Sequence, residues 1–426
     1  MMSAFRMVFV IFIFPISAIA QQKGLDFFIT SAITNSPVLV ENTNLQQNFQ
    51  LQNEIINAQN KKALVSFTAD YLFAPFFFDN GKPISITSNP SPKAYGYDVG
   101  ITNGGLYSAQ INAALPIFNT SIINNLYQQN KAQSAVLLNS RRQLEQDLKK
   151  NISEQYILAY QYQVQGKYLQ KIIDQVKSRK PIIAALIKQG LLQQNDYVSL
   201  DIQEINSTNE LIQLQFLNRN ALSQLRNLTA ISDTADFILE DPQIVLKPDP
   251  KEYYYQQKFT LDSLTLAADE NVFNSRYKPQ VNLLASTGLN ATLASNIPHN
   301  VGLSAGFHVA IPLADGKQKE INQRKNKILL SNLQAYRNSA IIQHQNNLRG
   351  AKIQVEQWLQ TIELLNKQIE KQELLLEIIK EKVIKGQVTV TDYIIALQDY
   401  AVTQKNKAVA QTNVLLYTNQ YNYYNW

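Results

Sequence analysis

The sequence predicts a mixed α and β chain, written twice over, in which long coiled-coil helices alternate with β-hairpins of membrane-spanning length. Three observations carry this. First, two glycine-centred turns recur at a fixed offset: Gly190 in QGLLQQNDY and Gly386 in KGQVTVTDY are 196 residues apart, as are Pro116 and Pro312. Second, the 74 residues from each proline to each glycine carry helix-compatible sequence with no net insertion. A long packed helix conserves length in this way, because one inserted residue rotates everything beyond it by about 100°. Third, ahead of each stretch the apolar period switches from helix to strand.

The first twenty residues read as a secretory signal peptide. Arg6 supplies the positive start, Val8 to Ile16 an apolar stretch broken by Pro15, and Ala18-Ile19-Ala20 the cleavage site, so the mature chain is expected to start near Gln21. The apolar stretch is too short to span a bilayer, and no later run reaches the ~18 residues a spanning helix needs. There is no cysteine, so an exported chain of 426 residues is expected to lack both disulfides and a cysteine-borne lipid anchor. The formal net charge of +6 is modest for this length, and its basic residues are scattered through Gln- and Asn-rich helices. That is no nucleic-acid footprint. The expected organisation is a first repeat over residues 21–236, a linker over 237–250 marked by Pro242, Pro248 and Pro250, and a second repeat over 251–426.

In each repeat a helix comes first and a strand pair follows it, ahead of the long helix. Val65, Phe67, Ala69, Tyr71 and Phe73 alternate with small and polar residues, as do Tyr107, Ala109, Ile111, Ala113, Leu115 and Ile117. In the second repeat the same pattern runs through Val281, Leu283, Ala285, Thr287 and Leu289, then from Val301 to Leu313. Strands of about ten residues have the length of a transmembrane strand. Alternation alone does not say whether the apolar face meets lipid or a soluble core. The small, polar opposite face and the aromatics Tyr71, Phe73, Phe76, Phe77, Phe78, Tyr95 and Tyr97 at the loop end favour lipid. Four strands cannot close a barrel alone, and an open edge in lipid is costly, so chains must pool their strands. The loop between the first two strands, with Pro83, Pro90 and Pro92, reads as external.

Each long helical stretch could reach about 110 Å. In the second, Ile341, Leu348, Val355, Ile362, Ile369, Leu376 and Val383 form a heptad row, the mark of a left-handed coiled-coil seam. A companion row read through Leu359, Asn366, Glu373 and Lys380 is ragged. Pro181 is expected to kink the first long helix just short of its tip. Past Gly190 and Gly386, placed as left-handed helix caps, the chain returns as helices over about 196–228 and 392–421. Asp196 and Asp392 stand where the returning helices begin, where a carboxylate suits the helix dipole. His299, His308 and His344 show no ligand spacing, and no nucleophile elbow, phosphate loop or paired-carboxylate pocket is present, so neither a metal, a cofactor nor an enzyme is expected. The aromatic tail Tyr421 to Trp426 has no placement in the sequence.

This order of elements resembles the TolC-like outer-membrane efflux proteins, the outer membrane factors. Ala32-Ile-Thr-Asn-Ser-Pro37, Leu115-Pro-Ile-Phe118, Pro279-Gln-Val-Asn-Leu283 and the two tips carry the resemblance, which covers essentially the whole mature chain. It implies a homotrimer in the outer membrane of a Gram-negative bacterium. Three chains would pool four transmembrane strands each into a twelve-stranded barrel, continued by an α-helical coiled-coil tunnel across the periplasm. The tips would form the entrance and dock a periplasmic adaptor. A proton-driven or ATP-driven inner-membrane pump would then drive small molecules or proteins through a passive duct. Asp392 resembles a member of the family's acidic entrance ring. The position of a second ring aspartate is Ile395 here, with Asp399 a turn further along as the substitute. Tyr197 and Tyr393 either pack between neighbouring tips or line them. The rival expectation is a non-transport periplasmic coiled-coil scaffold or adaptor whose hairpins form a soluble β-domain.

Overall fold

The computed structural model of the chain describes residues 22–87, 89–97, 107–232, 237–291 and 293–426. The expected signal peptide over residues 1–20 lies outside the described residues. The chain divides into two compact units. One comprises Glu41–Arg141 and Tyr254–Ile341; the other comprises the described part of Met1–Val40, Arg142–Tyr253 and Ile342–Trp426.

The first of these units holds the main sheet. Its strands are β2 (Leu64–Tyr71), β5 (Tyr107–Ile117), β7 (Gln280–Ala291) and β8 (Val301–Ala310), paired in the order β2-β5-β7-β8. Two hairpins were expected; the structure joins them, because β5 and β7 also pair antiparallel along their length, from Tyr107 opposite Ala291 to Ile117 opposite Val281. The register puts every apolar row on one face. Phe67 stands opposite Ile111, Ile111 opposite Thr287, and Thr287 opposite Leu303. On the other face, Ser66, Asn112, Ser286 and Ser304 are aligned across the sheet. Asn112 donates to the Thr68 hydroxyl at 2.9 Å, and the Ser286 and Ser304 hydroxyls are 2.6 Å apart. The apolar face is not a core: Phe67 is 69%, Leu303 82% and Phe307 77% exposed.

A small hairpin that the alternation did not reveal sits in the β2–β5 loop, as β3 (Phe76–Asp79) and β4 (Lys82–Ser85). Asn80 and Gly81 both take positive φ at its turn, the combination a tight two-residue hairpin favours. Phe76, read with the exposed aromatics, is buried in this loop. The buried Asp79 carboxylate accepts the Ser91 amide at 2.8 Å, and this bond chiefly holds its pKa down.

The helices of this unit fully bury few apolar side chains, Ile56, Ile123, Phe259 and Ala268 among them, and fasten to one another through amides. They are the 41–61 part of α2 (Pro37–Lys61), the 120–141 part of α3 (Thr120–Lys188), α5 (Tyr254–Ser275) and the 318–341 part of α6 (Gln318–Ile384). The buried Asn130 amide donates to the Phe49 carbonyl and the Asn53 side chain, both at 2.7 Å, and Ser134 donates to Gln46 at 2.8 Å. Asn125 reaches the Ser275 hydroxyl at 2.7 Å. Buried polar groups are tolerated when paired in this way.

The other unit is helical. It contains α1 (Leu25–Asn35), the rest of α3 and α6, α4 (Gln194–Thr229) and α7 (Val390–Tyr424), with a two-residue parallel ladder between β1 (Gln22–Lys23) and β6 (Ile238–Leu239). α3 continues through Pro181 to Lys188. The expected heptad row of α6 is buried or half-buried at all seven positions, from Ile341 to Val383. Its companion is not the ragged row: Leu359, Asn366 and Glu373 face solvent. The packed partner row lies one position earlier, through Ala351, Trp358, Leu365, Gln372 and Ile379. It follows the first row by three residues, as coiled-coil geometry requires.

The segment over 237–250 is tightly held. Phe237 packs edge-on against Phe28, and the wholly buried Tyr156 hydroxyl is shared between the carbonyls of Lys23 at 2.9 Å and Glu240 at 2.7 Å. The aromatic tail is placed too. Asn422 brackets the segment through Lys247 N–H and the Val245 carbonyl, Asn425 donates to the Lys247 carbonyl at 2.9 Å, and the Tyr423 hydroxyl donates to Asp147 at 2.7 Å. Burial first and Asp147 second push the Tyr423 pKa up to about 12.

Candidate functional site

The candidate site is the pair of helical-hairpin tips. Both use one local solution. Gly190 has φ +74° and Gly386 +66°, a backbone region glycine adopts without a Cβ penalty. Around Gly190, the Leu191 amide reaches the Leu186 carbonyl at 3.0 Å and the Gly190 amide reaches Ile187 at 2.9 Å. Around Gly386, the Gln387 amide reaches Lys382 at 2.9 Å and the Gly386 amide reaches Val383 at 3.0 Å. These paired bonds are the Schellman closure of a helix C-terminus.

Each returning helix then opens on its aspartate. Asp392 is the third residue of α7. Its carboxylate accepts the Thr389 amide at 2.9 Å and the Thr389 hydroxyl at 2.7 Å, while the Asp392 amide donates to that hydroxyl at 3.1 Å. This reciprocal capping box satisfies two backbone donors at once. The Thr389 hydroxyl bond, then its amide, holds the exposed Asp392 carboxyl below its ordinary pKa. Asp196 plays the same part in α4, accepting the Gln193 amide at 2.9 Å. The two tips lie together: a Cβ placed on Gly386 would stand 3.9 Å from the Leu191 carbonyl.

One apolar cluster joins the four helices behind the tips. Leu186 and Val176 of α3, Leu200 of α4, Val383 of α6 and Leu397 of α7 are among its buried members. The candidate residues divide around it. Tyr393 belongs to the cluster and is only 7% exposed, and Tyr197 is packed at its margin. Burial raises the Tyr393 pKa, opposed by the Arg179 guanidinium that bonds its hydroxyl. Asp392 and Asp399 are exposed, and Asp196 is half-buried. Ile395 is exposed beside them.

A charged group absent from the sequence reading completes the site. The Lys180 ammonium lies 2.5 Å from Asp201 and 2.8 Å from Glu204, and 5.4 Å from the Tyr197 ring centroid. Its bond to Asp201, then that to Glu204, raises the Lys180 pKa. Lys405 of α7 pairs with Glu210 of α4 at 2.8 Å, and Gln398 donates to Gln203 at 2.6 Å. A signal for the first group exists in the sequence. A helical hairpin places residues equidistant from its turn side by side, and Lys180 and Asp201 flank Gly190 at nearly equal separations. Among the described residues no group of His, Asp and Glu could hold a metal ion, and no helix is long and apolar enough to cross a membrane.

No protein-family model matches the sequence, and no curated protein matches it. Solved structures do match. The chain superposes on the outer-membrane channel OprN with a TM-score of 0.69 at 14% identity, covering 94% of this chain and 89% of that one. It matches the outer membrane protein VceC of Vibrio cholerae with a TM-score of 0.66 at 14% identity, covering 93% and 94%. The open state of the Neisseria gonorrhoeae MtrE outer membrane channel gives 0.67 at 12% identity, covering 94% and 88%. The chain therefore has the fold of the TolC-like outer-membrane channels.

Proposed function

We propose that the chain is one third of a passive export duct in the outer membrane of a Gram-negative bacterium. The observation that carries this reading is the sheet. Its apolar face is open at Phe67 on β2, Ile111 on β5, Leu283 on β7 and Leu303 and Phe307 on β8, its other face is small and polar, and β2 and β8 are unpaired edges. In lipid, an unsatisfied strand edge costs several kcal/mol per group. Three copies joined edge to edge give a barrel of twelve strands with room for a wet lumen lined by the Ser66–Asn112–Ser286–Ser304 face. The likeness to outer-membrane channels over nearly the whole chain supports the same reading.

In this reading the two halves are structural repeats, each ending in a tip at the periplasmic entrance. The tips dock a periplasmic adaptor, and an inner-membrane pump, proton-driven or ATP-driven, supplies the energy. Asp392 from three copies narrows the entrance, with Asp196 and Asp399 beside it, and Ile395 makes the constriction more apolar than a double acidic ring. Like charges brought together attract cations and repel one another, which suits a gate. Tyr393 and Tyr197 act by holding the tip in shape.

Single-channel recording in planar bilayers tests the duct. The purified protein is expected to conduct, and Asp392→Ala to raise conductance and weaken block by multivalent cations. Unchanged conductance and block in the variant remove Asp392 from the gate. A mature protein that stays soluble without detergent removes the duct.

A further inference from the structure

Where the strands of the main sheet meet the helices, cationic side chains gather. Lys61 and Lys62 stand just before β2, Arg276 and Lys278 just before β7, and Lys317 and Lys319 at the start of α6. All six are exposed, and none forms an ion pair among the described residues. Side-chain contacts link these positions around that end of the sheet. Asn119 donates to the Asn60 carbonyl at 2.5 Å, Lys278 bonds the Ser121 hydroxyl, and the Lys319 ammonium lies 5.4 Å from the Tyr277 ring centroid.

The neighbouring carboxylates do not cancel this charge. Glu320 pairs with Arg324, and Asp315, which keeps its charge while accepting the Lys317 and Lys319 amides at 3.0 and 2.8 Å, is a single anion among six cations. The loop end of the same sheet is balanced by comparison, with Asp70 and Asp79 against Lys82 and Lys93 among the described residues. Apolar side chains are interleaved with the cations. Phe118, just past β5, is 85% exposed, and Leu313, beyond β8, is 94% exposed.

We propose that this end of the sheet is a binding belt for the anionic headgroups of phospholipids, with Phe118 and Leu313 seated at the acyl boundary. The inference rests on the membrane-barrel reading above. The exposed apolar residues of the sheet face run down to Phe118 and Leu313 at the belt, and an apolar slab bordered by cations is what a bilayer leaflet offers. A lysine near an anionic lipid surface strengthens attachment roughly fivefold. Aromatic and long cationic side chains suit the interface because each has an apolar body and a polar tip.

The test is flotation of the purified full-length chain with vesicles of phosphatidylcholine alone or mixed with phosphatidylglycerol. The expected result is a preference of at least about tenfold for the anionic vesicles, lost in ~1 M salt. The triple variant Lys61→Gln, Lys62→Gln, Lys317→Gln should lose most of that preference. The loop-end variant Lys82→Gln, Lys93→Gln should keep it. Circular dichroism checks that the helical content of both is unchanged. Equal partition of the parent protein into the two lipids overturns the belt, as does a preference that survives the triple substitution or high salt. Failure to enter either vesicle overturns the barrel reading itself, a distinguishable result.

Discussion

Thr389 and Asp392 show how one side chain can serve shape before it serves function. The Thr389 hydroxyl accepts the Asp392 amide and donates to its carboxylate, so the pair fixes the start of α7 in each copy without help from a neighbour. Replacing a threonine cap by alanine costs about 1 kcal/mol. Thr389→Ala is therefore expected to lower the thermal midpoint, and Thr389→Ser to leave it nearly unchanged; a scan by circular dichroism in detergent decides. An equal loss in both variants contradicts the hydroxyl's role. His344 makes a different point. It lies on the packed row of α6, with Tyr253 stacked edge-on at 4.3 Å, and burial depresses its pKa despite the opposing pull of Asp249. The folded state thus resists protonating it. Stability is complete above the ordinary value of 6.5 and is lost as pH falls below it. Acidification from about pH 7.5 to 5.5 should lower the thermal midpoint of the parent protein more than that of His344→Gln. Equal slopes would show that His344 is not the responsible group.

Elements were legible where their signal is local. Strict alternation marked β2, β5, β7 and β8, and a seven-residue row marked α6, because face and period are written in the residues themselves. Partner choice is not written there. Nothing within residues 107–117 names residues 281–291 as their second neighbour, so the β5–β7 ladder was invisible. The β3–β4 hairpin escaped because Phe76, Phe77 and Phe78 do not alternate and Pro83 argues against a strand. The partner row through Ala351 and Gln372 escaped because a small and a polar residue interrupt it. Proline marked residues 237–250 as a linker, yet Tyr156 of α3 and Asn425, just past α7, pin that segment from positions distant in sequence. The C-terminal tail is part of the same clasp. Deleting residues 421–426 removes the side-chain bonds of Asn422, Tyr423 and Asn425, two for each residue. At roughly 1 kcal/mol per bond the loss should be about 6 kcal/mol. Limited proteolysis should then cut the deleted chain within residues 242–250 faster than the parent; equal rates would mean the clasp does not depend on the tail.

In the whole molecule the main sheet is incomplete. A sheet with one apolar face exposed and two open edges is an unfinished object, and the fold it shares with outer-membrane channels suggests how it is finished. Because the chain contains no cysteine, introduced thiols report edge contacts without background. Ser66→Cys on β2 can be combined in turn with a cysteine at Gly302, Ser304, Gly306 or His308 on β8, since barrel stagger shifts the register between copies. Oxidation in membranes, followed by denaturing electrophoresis, should give cross-linked dimers and trimers for at least one pairing and no larger species. A chain that stays monomeric at every pairing, or a ladder that runs past three, would contradict closure of the barrel by three copies.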